Sequence, residues 1–266
     1  MKTLIVIPAR YASTRYPGKP LVQLKGCDGK SRSLIQRSWE AACAVTGVDR
    51  VVIATDDVRI QKASAKFGGD VVMTSPDWVN GTERCAEAFE ILGVEYDIIV
   101  NLQGDAPLTP AWFVEKLVEG LAGDTDADVA TPVLRCDGAA LNGFLDDRRR
   151  GRVGGTTAVF DSNNRAMFFS KEVIPFTGKS YTCDEATPVF HHVGVYAYRP
   201  EALKIYPTLP SGPLEKLEGL EQLRFMEQGR SVLCVEVQSQ GRKFWELNNP
   251  EDVPRLESMM AEMGMV

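Results

Sequence analysis

Histidine is nearly absent from this chain. Its 266 residues hold two, His191 and His192, side by side. Neighbouring residues of a strand face opposite sides, so the pair cannot easily chelate one metal. Six cysteines (27, 43, 85, 136, 183 and 234) form no CxxC pair and have no nearby histidine. That spacing speaks against zinc and disulfides and for reduced thiols. No stretch approaches the roughly 18 apolar residues of a membrane span. The apolar run Leu4 to Ile7 is far too short for a signal-peptide core and is followed by Pro8 and Arg10. A cytoplasmic location without membrane insertion is the expectation. Positive charge is in deficit, with 30 Lys and Arg against 36 Asp and Glu and a formal net charge of −6. A general nucleic-acid binder usually needs the opposite balance. Neither GxxxxGK[ST] nor GxGxxG is present.

What is present is a regular alternation. Apolar runs at 3–7, 51–55, 70–73 and 96–102 read as strands, and stretches at 33–46, 57–69 and 82–92 read as helices. Ser33 is placed to cap the first helix, and Gly68-Gly69 to stop the second. This pace predicts βαβ units and a mainly parallel sheet with helices on both faces. The middle changes character. Runs at 129–136, 156–161 and 166–170, separated by turns and by charge such as DDRRRGR at 146–152, read as an antiparallel excursion. HHVGVYAYR at 191–199 reads as one further strand. Pro213 to Gly229 reads as one helix with Leu214, Leu217, Leu220, Leu223 and Met226 on its apolar side. A strand at 231–237 and a helix begun by Pro250 close the chain. At this length the expectation is a single domain, 1–266, with an embedded antiparallel and dimerisation subdomain at about 129–200.

Four places could carry chemistry. PARYASTRYPGKP, directly after the first strand, packs Arg10, Arg15 and Lys19 around Ser13, Thr14 and Gly18. It is either a solvated loop or a cradle for a phosphate chain; loops in this position of α/β sheets favour the cradle. Asp105 in NLQGDAP follows another strand, on the same rim. A carboxylate there either caps its own turn or holds a divalent cation on phosphate oxygens. NGTER at 80–84 suits a nucleoside at a helix start, or a plain cap by Thr82 with Glu83 in the first turn. Each of the two histidines is either a packed ring or a substrate donor.

These segments, together with IATDD at 53–57, HHVGVYAYR and PLEKLEGLEQLRFMEQG, resemble the 3-deoxy-manno-octulosonate (Kdo) cytidylyltransferase family, the CMP-Kdo synthetases. The matching blocks run from residue 1 to about 253. The resemblance implies a Rossmann-like nucleotidyltransferase α/β fold, usually a homodimer. It also implies a Mg²⁺-dependent reaction in which CTP and Kdo give CMP-Kdo and pyrophosphate for lipopolysaccharide or capsule. By the same resemblance Arg10, Ser13, Arg15 and Lys19 grip the phosphates. Thr82, Arg84 and Gln103 lie near the cytidine, and Asp105 holds Mg²⁺. His192, Tyr196, Glu221 and Gln222 line the acidic-sugar side.

The chain departs from the family pattern on the acceptor and metal side. LNNPED puts Asn248 where the family has a second metal-binding Asp, and an amide binds Mg²⁺ more weakly than a carboxylate. Glu246, two residues back on the same strand face, or Asp252 could substitute. FSK puts Lys171 in place of the arginine that pairs with the sugar carboxylate, a point charge for a fork. Thr157 stands for a lysine, and Ala106 for a glutamate. CTP use is expected to be kept, whereas the acceptor could be a modified Kdo or another acidic sugar. Two alternatives stand beside this reading: a metal-dependent glycosyltransferase using Asp105, and a catalytically silent nucleotide-binding homologue.

Overall fold

The computed structural model describes residues 1–12, 16–153, 155–242 and 245–266. In chain order its elements are β1 (Thr3–Ala9), β2 (Gln23–Lys25), β3 (Ser31–Ser33), α1 (Leu34–Cys43), β4 (Arg50–Thr55), α2 (Val58–Lys66), β5 (Asp70–Met73), α3 (Gly81–Leu92), β6 (Ile98–Leu102) and α4 (Ala111–Gly123). Then come β7 (Val129–Asp137), α5 (Gly138–Arg149), β8 (Thr156–Phe160), β9 (Ala166–Ser170), β10 (Ala186–His192), β11 (Val195–Tyr198), α6 (Pro200–Ile205), α7 (Pro213–Glu218), α8 (Gln222–Glu227), β12 (Val232–Val237) and α9 (Asp252–Glu262). The chain divides into two compact units, one of residues 1–115, 199–207 and 240–266, the other of 116–198 and 208–239.

In the first unit four parallel strands stand in the order β5-β4-β1-β6. Their residues are apolar on both faces: Leu4, Ile5, Val6, Ile7, Val52, Ile53, Ile98, Ile99 and Val100 are all buried. That is the signature of a parallel sheet covered by helices, and α1, α2 and α3 pack on it. The chain runs outward from β1 through β4 to β5 and then returns to the other side of β1 as β6. The order therefore reverses between β1 and β6, and a crevice opens beyond their carboxyl ends. Helix starts follow local chemistry. Ser33 accepts from Gln36 N and Asp57 from Arg59 N, each cap contributing about 1 kcal/mol. A second apolar cluster joins Leu24, Leu34, Leu108, Leu247, Leu256 and Met260, so α9 is held against the β2–β3 hairpin.

The second unit is centred on β7, which pairs antiparallel with β10 and β11 along one edge and parallel with β12. β10 continues into β8, and β8 into β9, all antiparallel. HHVGVYAYR is two strands rather than one, because the register on β7 shifts between His192 and Ala197 and leaves a bulge at Val193-Gly194. β11 is buried on both faces, not alternating as its sequence suggests. The stretch before DDRRRGR is helical, as α5, its charges paired as Arg148–Glu172, Arg149–Asp146 and Arg152–Asp147. The expected helix 213–229 is two short ones, because Gly219 adopts φ 62 and caps α7 with its N–H on Glu215 O at 2.7 Å. All six cysteines are free thiols. Among the described residues no helix is long and apolar enough to cross a membrane.

Candidate active site

A crevice of about 220 Å³ lies in the first unit, lined among others by Pro8, Ala9 and Arg10 at the end of β1 and by Gln103, Gly104 and Asp105 after β6. The topological switch thus places the two segments singled out in the sequence on one rim. Gly104 makes the approach possible, since a Cβ there would lie 2.7 Å from Pro8 O. Ser38 Oγ fixes the same turn by donating to Gly104 O at 3.0 Å. Lys19 Nζ meets Asp105 Oδ2 at 2.6 Å, with 14% and 26% of the two side chains exposed. Arg10 lies exposed at the mouth and reaches Val79 O at 3.4 Å. The loop between is closed at its neck. Gly18, at φ 72, donates its N–H to Tyr11 O, and the Tyr11 ring carries Arg59 over its face at 3.3 Å. Ser13 and Arg15 lie outside the described residues.

The opposite wall is the start of α3. Its cap is Asn80, which accepts from Glu83 N, while Glu83 reaches back to Val79 N. Thr82, considered as the cap, instead lies buried inside the first turn. A Cβ at Gly81 would meet the Gln103 amide at 3.2 Å, so the glycine brings α3 close to the β6 loop. Arg84 is 3% exposed; it donates to Thr74 Oγ1 at 2.5 Å and pairs with Asp56 at 3.2 Å. Burial lowers its pKa, and the carboxylates of Asp56 and Glu87 oppose that shift.

The segment 245–249 comes back to this crevice. Leu247, fully buried, donates its N–H to Asp105 O at 2.9 Å. Its flanking residues Glu246 and Asn248 are half-buried, but the segment is not a strand, so the argument from a shared strand face does not hold. Asp252, considered as a substitute metal ligand, spends its carboxylate on Trp245 Nε1 (3.0 Å), Asn248 N (3.0 Å) and Asn249 N (2.7 Å). It is the brace of the segment, a role that the PED motif signals as a helix-start acid. Among the described residues no group of three or more His, Cys, Asp or Glu gathers to hold a metal. The residues present fit a cation carried in on phosphate oxygens, which takes one or two protein carboxylates and keeps several waters.

The acceptor-side residues of the sequence reading all belong to the second unit. His192 is 6% exposed, and its Nε2 lies 2.9 Å from Thr131 Oγ1. Burial, reinforced by His191, pushes its pKa down to about 3, so the ring is neutral. It stands edge-on to Phe169, with ring centroids 4.9 Å apart, and beside Tyr196 at 5.7 Å. Tyr196 O–H donates to Gln222 Oε1 at 3.0 Å. Gln222 is 1% exposed, and its Nε2 has no hydrogen-bond partner among the described residues. A buried amide nitrogen in that state is uncommon in a folded protein. Half-buried Lys171 is held by its backbone N–H on Glu218 Oε2 at 2.9 Å, while Glu218 Oε1 accepts from Ser170 at 2.7 Å. Gly219 beside it has φ 62, a left-handed backbone that favours glycine, and a Cβ there would also come within 3.0 Å of Lys171 Nζ. Glu221 is half-buried at the start of α8. Thr157 is a tie rather than a vacancy: its hydroxyl donates to Glu172 O at 2.7 Å and accepts from Ile174 N at 3.1 Å. Ala106 is buried in the turn after Gln103. The sequence reading missed Glu218 and Thr131, which nothing in the spacing of charged residues signals.

A phosphate-suited crevice at the switch point of a parallel sheet defines an α/β nucleotidyltransferase. The sequence profile described as cytidylyltransferase matches residues 4–233. A 3-deoxy-manno-octulosonate cytidylyltransferase of Maricaulis maris is 44% identical, with 99% of each chain covered. An 8-amino-3,8-dideoxy-manno-octulosonate cytidylyltransferase of Shewanella pealeana is 39% identical, covering 98% of this chain and 99% of its own. The solved CMP:2-keto-3-deoxy-manno-octonic acid synthetase, complexed with CTP, superposes with a TM-score of 0.82 at 34% identity, over 99% of this chain and all of that one. The chain belongs to the 3-deoxy-manno-octulosonate cytidylyltransferase family.

Proposed function

We propose that the protein transfers the cytidylyl group of CTP to the anomeric hydroxyl of Kdo or a closely related ulosonic acid. The new bond joins that oxygen to the α-phosphorus, the bond from the α-phosphorus to the bridging oxygen breaks, pyrophosphate leaves, and the hydroxyl proton passes to solvent. The observation that carries this reading is the juxtaposition of Arg10, Lys19 and Asp105 around the switch-point crevice. Arg10, Ser13, Arg15 and Lys19 hold the phosphate chain. Thr82, Arg84 and Gln103 border the nucleoside. Lys171, His192, Tyr196, Glu221 and Gln222 serve the acceptor. Asp105 is the carboxylate that would hold Mg²⁺, with Asn248 or Glu246 nearby in sequence to the brace at Leu247. Bound there, the ion would neutralise charge on the phosphates. The chain's own part is positioning and electrostatic stabilisation, and it needs no separate general base.

The same reading takes the protein as a cytoplasmic homodimer built through the 129–200 region, feeding lipopolysaccharide or capsule assembly. The acceptor choice rests on Lys171, which offers a point charge where the family pattern has an arginine. The Shewanella relative's name makes 8-amino-Kdo the second acceptor to test. The decisive measurement is pyrophosphate release with CTP and Mg²⁺ against Kdo, 8-amino-Kdo and other ulosonic acids. Turnover with one of the first two is expected. CTP binding without turnover on any acid would replace the enzyme by a silent homologue.

A further inference from the structure

Thr131 sits on β7 where the ladder to β11 is interrupted. Ala197 pairs with Ala130, so Val195 stands opposite Pro132. Proline has no N–H to give, and the bulge at Val193-Gly194 turns the Val195 N–H onto Val193 O at 2.7 Å. The Val195 carbonyl would be left without a ladder donor. The Thr131 hydroxyl supplies one at 2.9 Å, with a weaker share to Val193 O at 3.4 Å.

A hydroxyl has one proton. Once it is committed to the bulge carbonyls, the Thr131 oxygen can only accept from its third neighbour, His192 Nε2 at 2.9 Å. Two acceptors facing each other at that distance would be repulsive, so the ring nitrogen must carry the hydrogen. The ring is neutral through burial, and a neutral imidazole has one N–H. Nδ1 is therefore an acceptor. The ring's only hydrogen bond among the described residues is the one at Nε2, so Nδ1 is left bare. A bare ring acceptor between Phe169 and Tyr196 suits a sugar hydroxyl, which has a proton to give.

We propose that Thr131 is a positioning residue that locks His192 as the Nε2–H tautomer, so that Nδ1 accepts a hydrogen bond from a hydroxyl of the acceptor sugar. This inference rests on the acceptor-side role given to His192 above. Only two histidines are present, so nitrogen-15 NMR of the full chain resolves the tautomer, with His192→Gln for assignment. The expected spectrum has a protonated Nε2 and a bare Nδ1 that shifts on saturation with Kdo. Thr131→Val should mix the tautomers and raise the acceptor KM about tenfold, the equivalent of one lost hydrogen bond. The KM for CTP should stay within about twofold on the same argument. Thr131→Ser, which keeps the hydroxyl, should restore both. A protonated Nδ1 in the wild type, or a bare Nδ1 that does not move with Kdo, overturns the proposal even if Thr131→Val fails to fold. The tautomer needs no turnover, so absent pyrophosphate release counts against the assigned reaction, and a wrong tautomer against the lock.

Discussion

In the first unit the ion pair of the crevice, Lys19 with Asp105, keeps 14% and 26% of its side chains in water. In the second, Arg224 grips Glu215 through Nε and Nη2 at 2.8 and 2.7 Å, with 5% and 10% exposed. Around them the contrast widens. The crevice is a rim of charge open to a polyanion, whereas His192, Tyr196 and Gln222 are neutral and buried, His192 bonded to Thr131 and Tyr196 to Gln222. A triphosphate can be held by cations that stay partly hydrated, since Coulomb attraction reaches through a few ångströms of water. A sugar offers only hydroxyls and one carboxylate, so its discrimination needs donors and acceptors of fixed direction. On the proposed roles, the charges that meet the phosphates stay accessible, and the groups that meet the acceptor are desolvated.

The sharpest way to break this contrast is Asp105→Asn. Pyrophosphate release should fall on the order of a thousandfold, the scale of losing the hold on a cation that stabilises charge on the transferring phosphate. The urea midpoint should change little, because the pair is partly solvated. Arg224→Ala should do the reverse. It strands Glu215 in the interior and should lower unfolding stability by about 3–5 kcal/mol, with the KM for CTP nearly unchanged where the variant remains folded. Lys171→Arg should lower the acceptor KM by about threefold, a fork replacing a point charge at the sugar carboxylate. A rise in the KM for CTP instead would remove Lys171 from the acceptor side.

A stability measurement separates the units by pH. Burial depresses His191 to about 4 and His192 to about 3, both below the ordinary value of 6.5. The unfolded chain therefore takes up protons first as pH falls. Stability should decline from about pH 6.5 downward, at up to about 1.4 kcal/mol per pH unit for each histidine. Urea unfolding at pH 7 and pH 5 should show this loss, and His191→Phe should remove one proton's share of it. An unchanged slope in that variant would mean that His191 does not stay neutral in the folded chain.

The first unit was legible because period and punctuation agree there. The strand 70–73 and the cap Ser33 stand where the residues predict them, and the opening loop and QGD turn meet as the parallel topology requires. The second unit was less so. LNGFLDDRRR reads as turn and charge until its ion pairs on α5 are seen, and α4, with Phe113, Leu117 and Leu121 buried four apart, went unread. Gly219 breaks a periodic apolar stripe that otherwise continues smoothly. The bulge at Val193-Gly194 is a tertiary event, set opposite Pro132 on a strand sixty residues earlier. Asp252 illustrates the same limit: its type suits a metal, and only the three N–H groups around it reveal a brace.

That brace has a temporal consequence. Asp105 reaches its strand end early in the chain, yet Leu247 and the helix that holds it follow some 140 residues later. A chain still emerging from the ribosome can form β1, β6 and their turn, and so display the crevice in outline. It acquires the final hold on the turn only when the last segment closes over it. The turn that carries Asp105 would then take its final form late in synthesis.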